Sequence, residues 1–310
     1  MLNRKQLKLA ACLWLAGMAG VVALTLTVLP QLLAMSPSPL PTPVAAAASM
    51  LQSAVLVALA VWAGVVLAPP LGLHAPVAEA AVAGTGIWQA LKPQMLPAAA
   101  VGLLVGGLLT VLTSHAPQGL RASGAVFEIP FVAKLLYGGV TEEILMRWGL
   151  MTALLWSLWR VLQKRAGPPR RSLVFMAIVG AAFVFGVGHL PLVMGMGVEL
   201  SGPVAMFIIA ANAVPGILFG WLYWRWGLEA AMLAHAMSHA RPPWPRSPGA
   251  RPDADVERAL HRPGEDCLHP RTTQASSSRP GNVLAQRIKT MALRLPGWKH
   301  PGGSGADTAR

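Results

Sequence analysis

Long apolar segments constrain this chain more than any other feature of its sequence. Such segments run over residues 9–34, 45–67, 95–112, 173–194 and 204–224, and crossing the bilayer core takes about 20 apolar residues. Only 12% of the residues are charged, roughly half the proportion in soluble domains. Because lipid offers the backbone no hydrogen-bond partners, such segments fold as helices. The sequence therefore predicts an all-α fold, a polytopic transmembrane bundle of about six to eight membrane helices, with a polar site buried between them.

Changes in composition divide the chain into three regions. We expect N-terminal transmembrane helices and linkers over 1–130 and a membrane core over 131–240 that carries the polar site. The rest, 241–310, reads as a disordered basic tail rich in Pro and Arg, and a frameshift is an alternative origin for it. Basic residues before the first span and within 163–171 place both segments on the inner side of the membrane. The Ala, Gly, Arg and Pro bias points to a bacterial chain, so we expect an integral protein of the inner (cytoplasmic) membrane.

The net charge of +13 does not indicate nucleic-acid binding. Nearly half of the basic residues, 12 of 25, follow Ala240, and the others are spread along loops without interleaved aromatic residues. The two cysteines, Cys12 and Cys267, are too few and too far apart for a disulfide framework or a metal motif. The expected partner is therefore the lipid bilayer, and no nucleic acid.

Two glutamates and an arginine interrupt the apolar segment 131–162, in the stretch TEEILMRWGL. An ionisable group costs about 2.5–3.5 kcal/mol in the hydrocarbon core, so residues of this kind are usually functional. In an α-helix, Glu143 and Arg147 share one face and can pair. Glu142 would lie about 100° around the helix from Glu143. The alternative interpretation is a structural ion pair at a helix interface.

Histidines occur in two further apolar segments. His189 follows Phe185 by four residues, and His235 and His239 are spaced so that both imidazoles reach one point. A carboxylate accepts a proton from water, while imidazoles orient the water, bind a metal or donate to an oxyanion. Each histidine alone could be a hydrogen-bonded core residue, but together the three segments predict one functional site with Glu142.

The order of these motifs resembles the signature of the CPBP intramembrane proteases, which include the CAAX prenyl endopeptidases. The signature E-E-x-x-x-R, F-x-x-x-H and H-x-x-x-(N/D) is matched by EEILMR, FGVGH and HAMSH. The resemblance covers about 131–239. It implies that Glu142 is the catalytic base and that His189 and His235 hold the water or stabilise the tetrahedral intermediate.

The same resemblance gives supporting roles to Glu143 and Arg147, which set up the site, and to Phe185, which packs against it. One position departs from the signature, because His239 stands where the family has Asn or Asp. An imidazole can donate to an oxyanion, so His239 joins the catalytic set. It is also a good zinc ligand, so the cofactor is either none or a divalent metal held by His189, His235 and His239.

The residues and the resemblance together predict a hydrolase. The expected activity is that of an intramembrane endopeptidase of the glutamic type, acting on a membrane-anchored substrate or on a C-terminal sorting-type signal. The alternative is a non-catalytic membrane protein, either a proton or solute carrier or a degenerate family member that acts as a partner. Other intramembrane protease classes are disfavoured, because the chain has no H-E-x-x-H and no G-x-G-D sequence.

Overall fold

The predicted helices form in the apolar segments, and the computed structural model describes them over residues 2–35, 40–120 and 129–240. These described ranges contain no β-strand, which confirms the all-α prediction. In chain order the elements are α1 (Arg4–Thr27), α2 (Leu29–Met35), α3 (Thr42–Leu67), a 3-10 turn (Pro69–Leu71), α4 (Pro76–Ala83), α5 (Ile87–Ser114), α6 (131–162), α7 (Arg171–Gly188), α8 (Leu190–Gly195), α9 (Gly202–Trp226) and α10 (Leu228–Ser238). The predicted tail at 241–310 and most of the predicted loop at 120–130 lie outside the described residues.

Five helical stretches are long and apolar enough to cross a membrane. They are Arg4–Met35, Thr42–Leu67, Ile87–Ser114, Arg171–Gly195 and Gly202–Trp226. Their outward faces carry many exposed large apolar side chains, as a bilayer requires. The helix α6 lies among them and carries the charged residues. The chain is therefore an integral membrane protein built as a helical bundle.

The third span begins earlier than its hydropathy predicts. We expected it to start near residue 95, but α5 begins at Ile87 and continues through both Pro93 and Pro97. A proline removes one backbone hydrogen bond from a helix, and membrane helices tolerate this because neighbouring groups satisfy the freed carbonyl. Residues 87–94 therefore belong to the same long helix as the predicted span.

The helix that carries the glutamates is not a regular α-helix. It starts as an α-helix at Phe131–Ala133, has π-helical turns at Lys134–Glu142 and Ile144–Met151, and ends as an α-helix at Thr152–Leu162. Within it, the hydroxyl of Thr152 donates to the carbonyl of Arg147, five residues back, at 3.0 Å. The predicted regular α-helix, with 100° between the two glutamates, is therefore wrong here. A π-helical turn is wider, and such turns are frequent at functional sites.

Neighbouring helices surround α6 and fix its position. Its first half packs against α1 and α10, and its second half packs against α3 and α7. The hydroxyl of Thr141 donates to the carbonyl of Gly17 in α1 at 2.7 Å. Small residues allow these close approaches: a Cβ on Gly149 would lie 2.6 Å from that of Ala60 in α3. The charged residues of α6 are thereby held inside the bundle.

A hydrogen-bonded turn connects α6 to α7. The side-chain amide of Gln163 donates to the carbonyls of Ala166 and Pro168, at 2.6 and 2.8 Å, and its oxygen accepts from the backbone N–H of Arg170 at 3.0 Å. The four basic residues of this turn, Lys164, Arg165, Arg170 and Arg171, are exposed. Since basic loops stay on the inner side, this turn should face the cytoplasm.

This orientation can be measured with single cysteines in a background that lacks Cys12 and Cys267. We expect a cysteine at the exposed position of Ala166 to be protected from an impermeant thiol reagent in intact cells and labelled after lysis. A cysteine at the exposed position of Glu199, across the span formed by α7 and α8, should be labelled in intact cells. Labelling of Ala166→Cys in intact cells would show that the topology is the reverse of the one expected. Labelling of both cysteines from the same side would show that the segment between them does not cross the membrane.

Candidate active site

The site contains a buried ion pair. The carboxylate oxygen Oε2 of Glu143 lies 3.1 Å from Nε of Arg147, and the two side chains are 0% and 1% exposed. The pair is an electrostatic contact without good hydrogen-bond geometry. Arg147 also donates from Nη2 to the carbonyl of Gly216 in α9 at 3.2 Å. The predicted pairing of these two residues is confirmed, and it connects α6 to α9.

The guanidinium of Arg147 lies between aromatic rings. Its Cζ atom is 5.2 Å from the ring centroid of Phe185 in α7 and 5.7 Å from that of Phe219 in α9. A cation over an aromatic face is stabilised by the ring quadrupole, and the effect increases when water is excluded. The ring of Phe185 therefore packs against Arg147.

The second oxygen of Glu143 holds a histidine. Its Oε1 accepts a hydrogen bond from Nδ1 of His235 at 2.8 Å, across 92 positions of sequence. A carboxylate only accepts, so the proton of this bond belongs to Nδ1. The ring of His235 is further fixed by stacking on Phe219, with centroids 4.7 Å apart and an interplanar angle of 21°. Glu143 thus orients His235 as well as neutralising Arg147.

Glu142 approaches the opposite edge of the same imidazole. Its Oε2 lies 3.9 Å from Nε2 of His235, and its side chain is 19% exposed. This distance is too long for a direct hydrogen bond, but one bridging water fits such a separation. With Nδ1 protonated, Nε2 of the neutral ring is an acceptor. The adjacent glutamates therefore differ in their surroundings: Glu143 is buried and contacts two partners, while Glu142 is partly exposed.

His189 joins the site through Phe185. Its Nδ1 lies 2.8 Å from the carbonyl oxygen of Phe185, and the two rings make an edge contact with centroids 4.6 Å apart. Because a carbonyl only accepts, Nδ1 carries the proton and Nε2 of the neutral ring is left as an acceptor. Phe185 also makes an edge contact with His235 at 6.2 Å. The predicted motif residues of α7 and α10 therefore meet at one aromatic ring.

His239 lies at the end of α10, beside His235. The two ring centroids are 5.1 Å apart, and the rings are tilted by 35°. Gly138 in α6 leaves the room that these rings need, because a Cβ there would lie 3.0 Å from Nε2 of His239 and 3.6 Å from Nε2 of His235. The predicted site residues of α6 and α10 thus lie where these two helices pack together, and Phe185 and His189 lie at the end of α7.

The predicted alternative of a three-histidine zinc centre does not fit this arrangement. A catalytic zinc needs about three protein ligands that converge on one point. Among the described residues, no three His, Cys, Asp or Glu side chains are grouped closely enough to hold a metal ion. The three imidazoles therefore do not form one ligand set in this part of the chain.

Three residues of the site were missed by the sequence analysis. Phe219 stacks on His235, the carbonyl of Gly216 accepts from Arg147, and Gly138 makes room for the imidazoles. The adjacent glycines at 138 and 139 were visible as a break in an apolar segment. Phe219 gave no signal, since an aromatic residue in a membrane span is ordinary.

The fold and the site define a class: a helical membrane protein with a buried glutamate–histidine centre. Residues 125–240 match the family model described as Type II CAAX prenyl endopeptidase Rce1-like. Over these residues the chain is similar to that family, which confirms the predicted resemblance and the enzyme class of a protease, a hydrolase. Comparison with curated proteins and with solved structures gave no match.

The buried ion pair predicts how substitutions will affect abundance. Arg147→Ala leaves the carboxylate of Glu143 buried without its cation, and breaking such a pair costs about 3–5 kcal/mol. We expect the membrane-extracted protein to be less abundant and to have a lower unfolding temperature. Adding Glu143→Gln should restore part of the abundance, because the uncompensated charge is removed. The control is Arg160→Ala, an exposed arginine of the same helix, and equal abundance of the Arg147 and Arg160 variants would contradict the stabilising role.

Proposed function

We propose that the chain is an intramembrane endopeptidase that hydrolyses a peptide bond with a water activated by Glu142. The observation that carries this proposal is the position of His235 between the two glutamates. Glu143 holds Nδ1 at 2.8 Å, and Glu142 lies 3.9 Å from Nε2. A water that donates one proton to Glu142 and the other to Nε2 would have its lone pairs directed at a substrate carbonyl.

The first step follows from this geometry. Glu142 takes a proton from the water while the oxygen attacks the scissile carbonyl carbon, so that the C–O bond forms as the carbonyl becomes an oxyanion. Glu142 then gives this proton to the departing amine as the C–N bond breaks. The partly exposed carboxylate of Glu142 suits a group that exchanges protons, whereas that of Glu143 is 0% exposed and already engaged.

Stabilising the oxyanion requires an N–H donor near the attacked carbonyl. In their neutral forms, His189 and His235 use their ring protons on Phe185 and Glu143. Both rings are then acceptors at Nε2, which suits holding the water. His239 is beside them and departs from the Asn or Asp of the family signature. We therefore assign the oxyanion to an N–H of His239.

The substrate is proposed to be a membrane-anchored protein or peptide that carries its cleavage site near a C-terminal or sorting-type signal. The site lies among helices whose outer faces are apolar, so a lipid-anchored segment can reach it from the bilayer. The matched family is described as a CAAX prenyl endopeptidase, which supports a substrate of this kind. We place the enzyme in a bacterial inner membrane, on the compositional bias of the sequence.

Glu142→Gln tests the proposed base. The amide keeps the size of the side chain but accepts no proton at neutral pH, and loss of a general base costs about 10²–10⁴-fold in rate. We expect this loss in protein reconstituted into vesicles, measured with a fluorogenic peptide that carries either a prenyl group or a transmembrane anchor. Abundance should be unchanged.

The matched control is Glu199→Gln, an exposed glutamate outside the site. It should keep the parent rate with both peptides. Retained cleavage by the Glu142→Gln protein would exclude the glutamate mechanism. A protein that cleaves neither peptide but conducts protons across the vesicle would support the carrier alternative instead.

Two substitutions of His239 test the oxyanion role. An Asn side chain can donate from its amide N–H, so His239→Asn should keep substantial activity. His239→Ala should lose about 10²–10³-fold in kcat, the usual cost of removing one oxyanion donor. If His239 were a metal ligand, both variants would lose bound metal and activity together. Metal content measured on the same preparations separates the two outcomes.

A further inference from the structure

A cavity lies apart from the proposed active site. It has a volume of about 280 Å³ and is bounded by the residues that follow α3 and by the end of α9. The polar and aromatic side chains that matter here are those of His74, Glu79, Trp224, Arg225 and Trp226. None of the predicted catalytic residues lines this cavity. Its chemistry therefore needs a separate account.

The cavity lies at the level where two membrane spans end. The span formed by α3 ends at Leu67, and the span formed by α9 ends at Trp226. Tryptophan is enriched at this depth, because its ring is apolar while its N–H binds water or headgroups. Trp224 and Trp226 flank the exposed Arg225. The cavity is thus concave and is lined by tryptophan and arginine, which are residues that commonly contact lipid headgroups.

The charges of the cavity have opposite signs and are unequally paired. Glu79 lies 3.6 Å from Nδ1 of His74, on partly exposed side chains. Arg225 makes no ion pair with any described residue, and its guanidinium lies 5.5 Å from the ring centroid of Trp224. The cavity therefore offers a cation on one wall and a carboxylate on another.

We propose that this cavity binds the headgroup of a zwitterionic phospholipid, an ethanolamine phosphodiester. The phosphate takes hydrogen bonds from Arg225, whose planar fork matches phosphate oxygens, and from the ring N–H of His74. The ammonium group donates to Glu79 and lies against a tryptophan face. The acyl chains then extend along the apolar outer surface of α9.

The cavity is also joined to the start of the helix that carries His235. The backbone carbonyl of His74 accepts from the N–H of Leu228, the first residue of α10, at 3.1 Å. The carboxylate of Glu79 accepts from the N–H of Ala75 at 3.1 Å, which holds the beginning of α4. A bound headgroup would therefore contact a wall that is already connected to α10.

Binding to the purified full chain in mild detergent tests the proposal, with native mass spectrometry as the readout. The probes are phosphatidylethanolamine, phosphatidylglycerol with the same acyl chains, and free phosphoethanolamine. We expect phosphatidylethanolamine to bind more tightly than phosphatidylglycerol, and free phosphoethanolamine not to compete at equal concentration. Equal or tighter binding of phosphatidylglycerol would overturn the zwitterionic assignment. Effective competition by free phosphoethanolamine would show that the cavity binds the free compound and would overturn the assignment to a phospholipid headgroup.

Variants locate the binding in this cavity. Arg225→Ala should weaken phosphatidylethanolamine binding about tenfold, the effect of losing one charge-assisted hydrogen bond. Glu79→Gln still accepts from Ala75 and should abolish the preference for phosphatidylethanolamine. Arg160→Ala, an exposed arginine that does not line the cavity, should bind as the parent does. Parent-like binding by the Arg225→Ala protein would overturn the proposal.

Discussion

The carboxylate of Glu143 is the interaction on which the arrangement of the site depends. It is fully buried and contacts both Arg147 at 3.1 Å and His235 at 2.8 Å. A buried charge of this kind is tolerated only where opposite charge and hydrogen bonds surround it. Arg147 meets the same requirement through Glu143, a backbone carbonyl and two aromatic rings. Three helices, α6, α9 and α10, are therefore held together by polar contacts that none of them can satisfy alone.

The buried pair of Glu143 and Arg147 allows the two adjacent glutamates to differ in chemistry. Glu142 and Glu143 approach opposite nitrogens of one imidazole, but only Glu142 keeps a partly exposed carboxylate. The carboxylate of Glu143 is occupied by Arg147 and His235, whereas the carboxylate of Glu142 is left partly exposed. The π-helical turns of α6 contribute to this division, since they widen the helix at the point where the two carboxylates emerge.

The sequence predicted the parts of this structure that depend on local pattern. Apolar segments of span length gave the helices, and a four-residue spacing gave the pair of Glu143 and Arg147. The order of the motifs gave the family. The sequence did not predict the bond between Glu143 and His235, because it joins residues 92 positions apart. It also missed the π-helical turns and the early start of α5, since tertiary contacts outweigh local preference at Pro93 and in the glutamate segment.

The presence of His239 in place of Asn or Asp depends on the facing helix, α6. An imidazole is larger than the side chain of Asn or Asp, so a site that carries it needs additional room. That room lies over Gly138, where even a single methyl group would lie 3.0 Å from Nε2 of His239. The neighbouring Gly139 lets α10 approach α6, since its own Cβ would lie 3.0 Å from that of Ala236. Gly138 therefore makes room for the wider ring of His239, and Gly139 keeps α6 and α10 in contact.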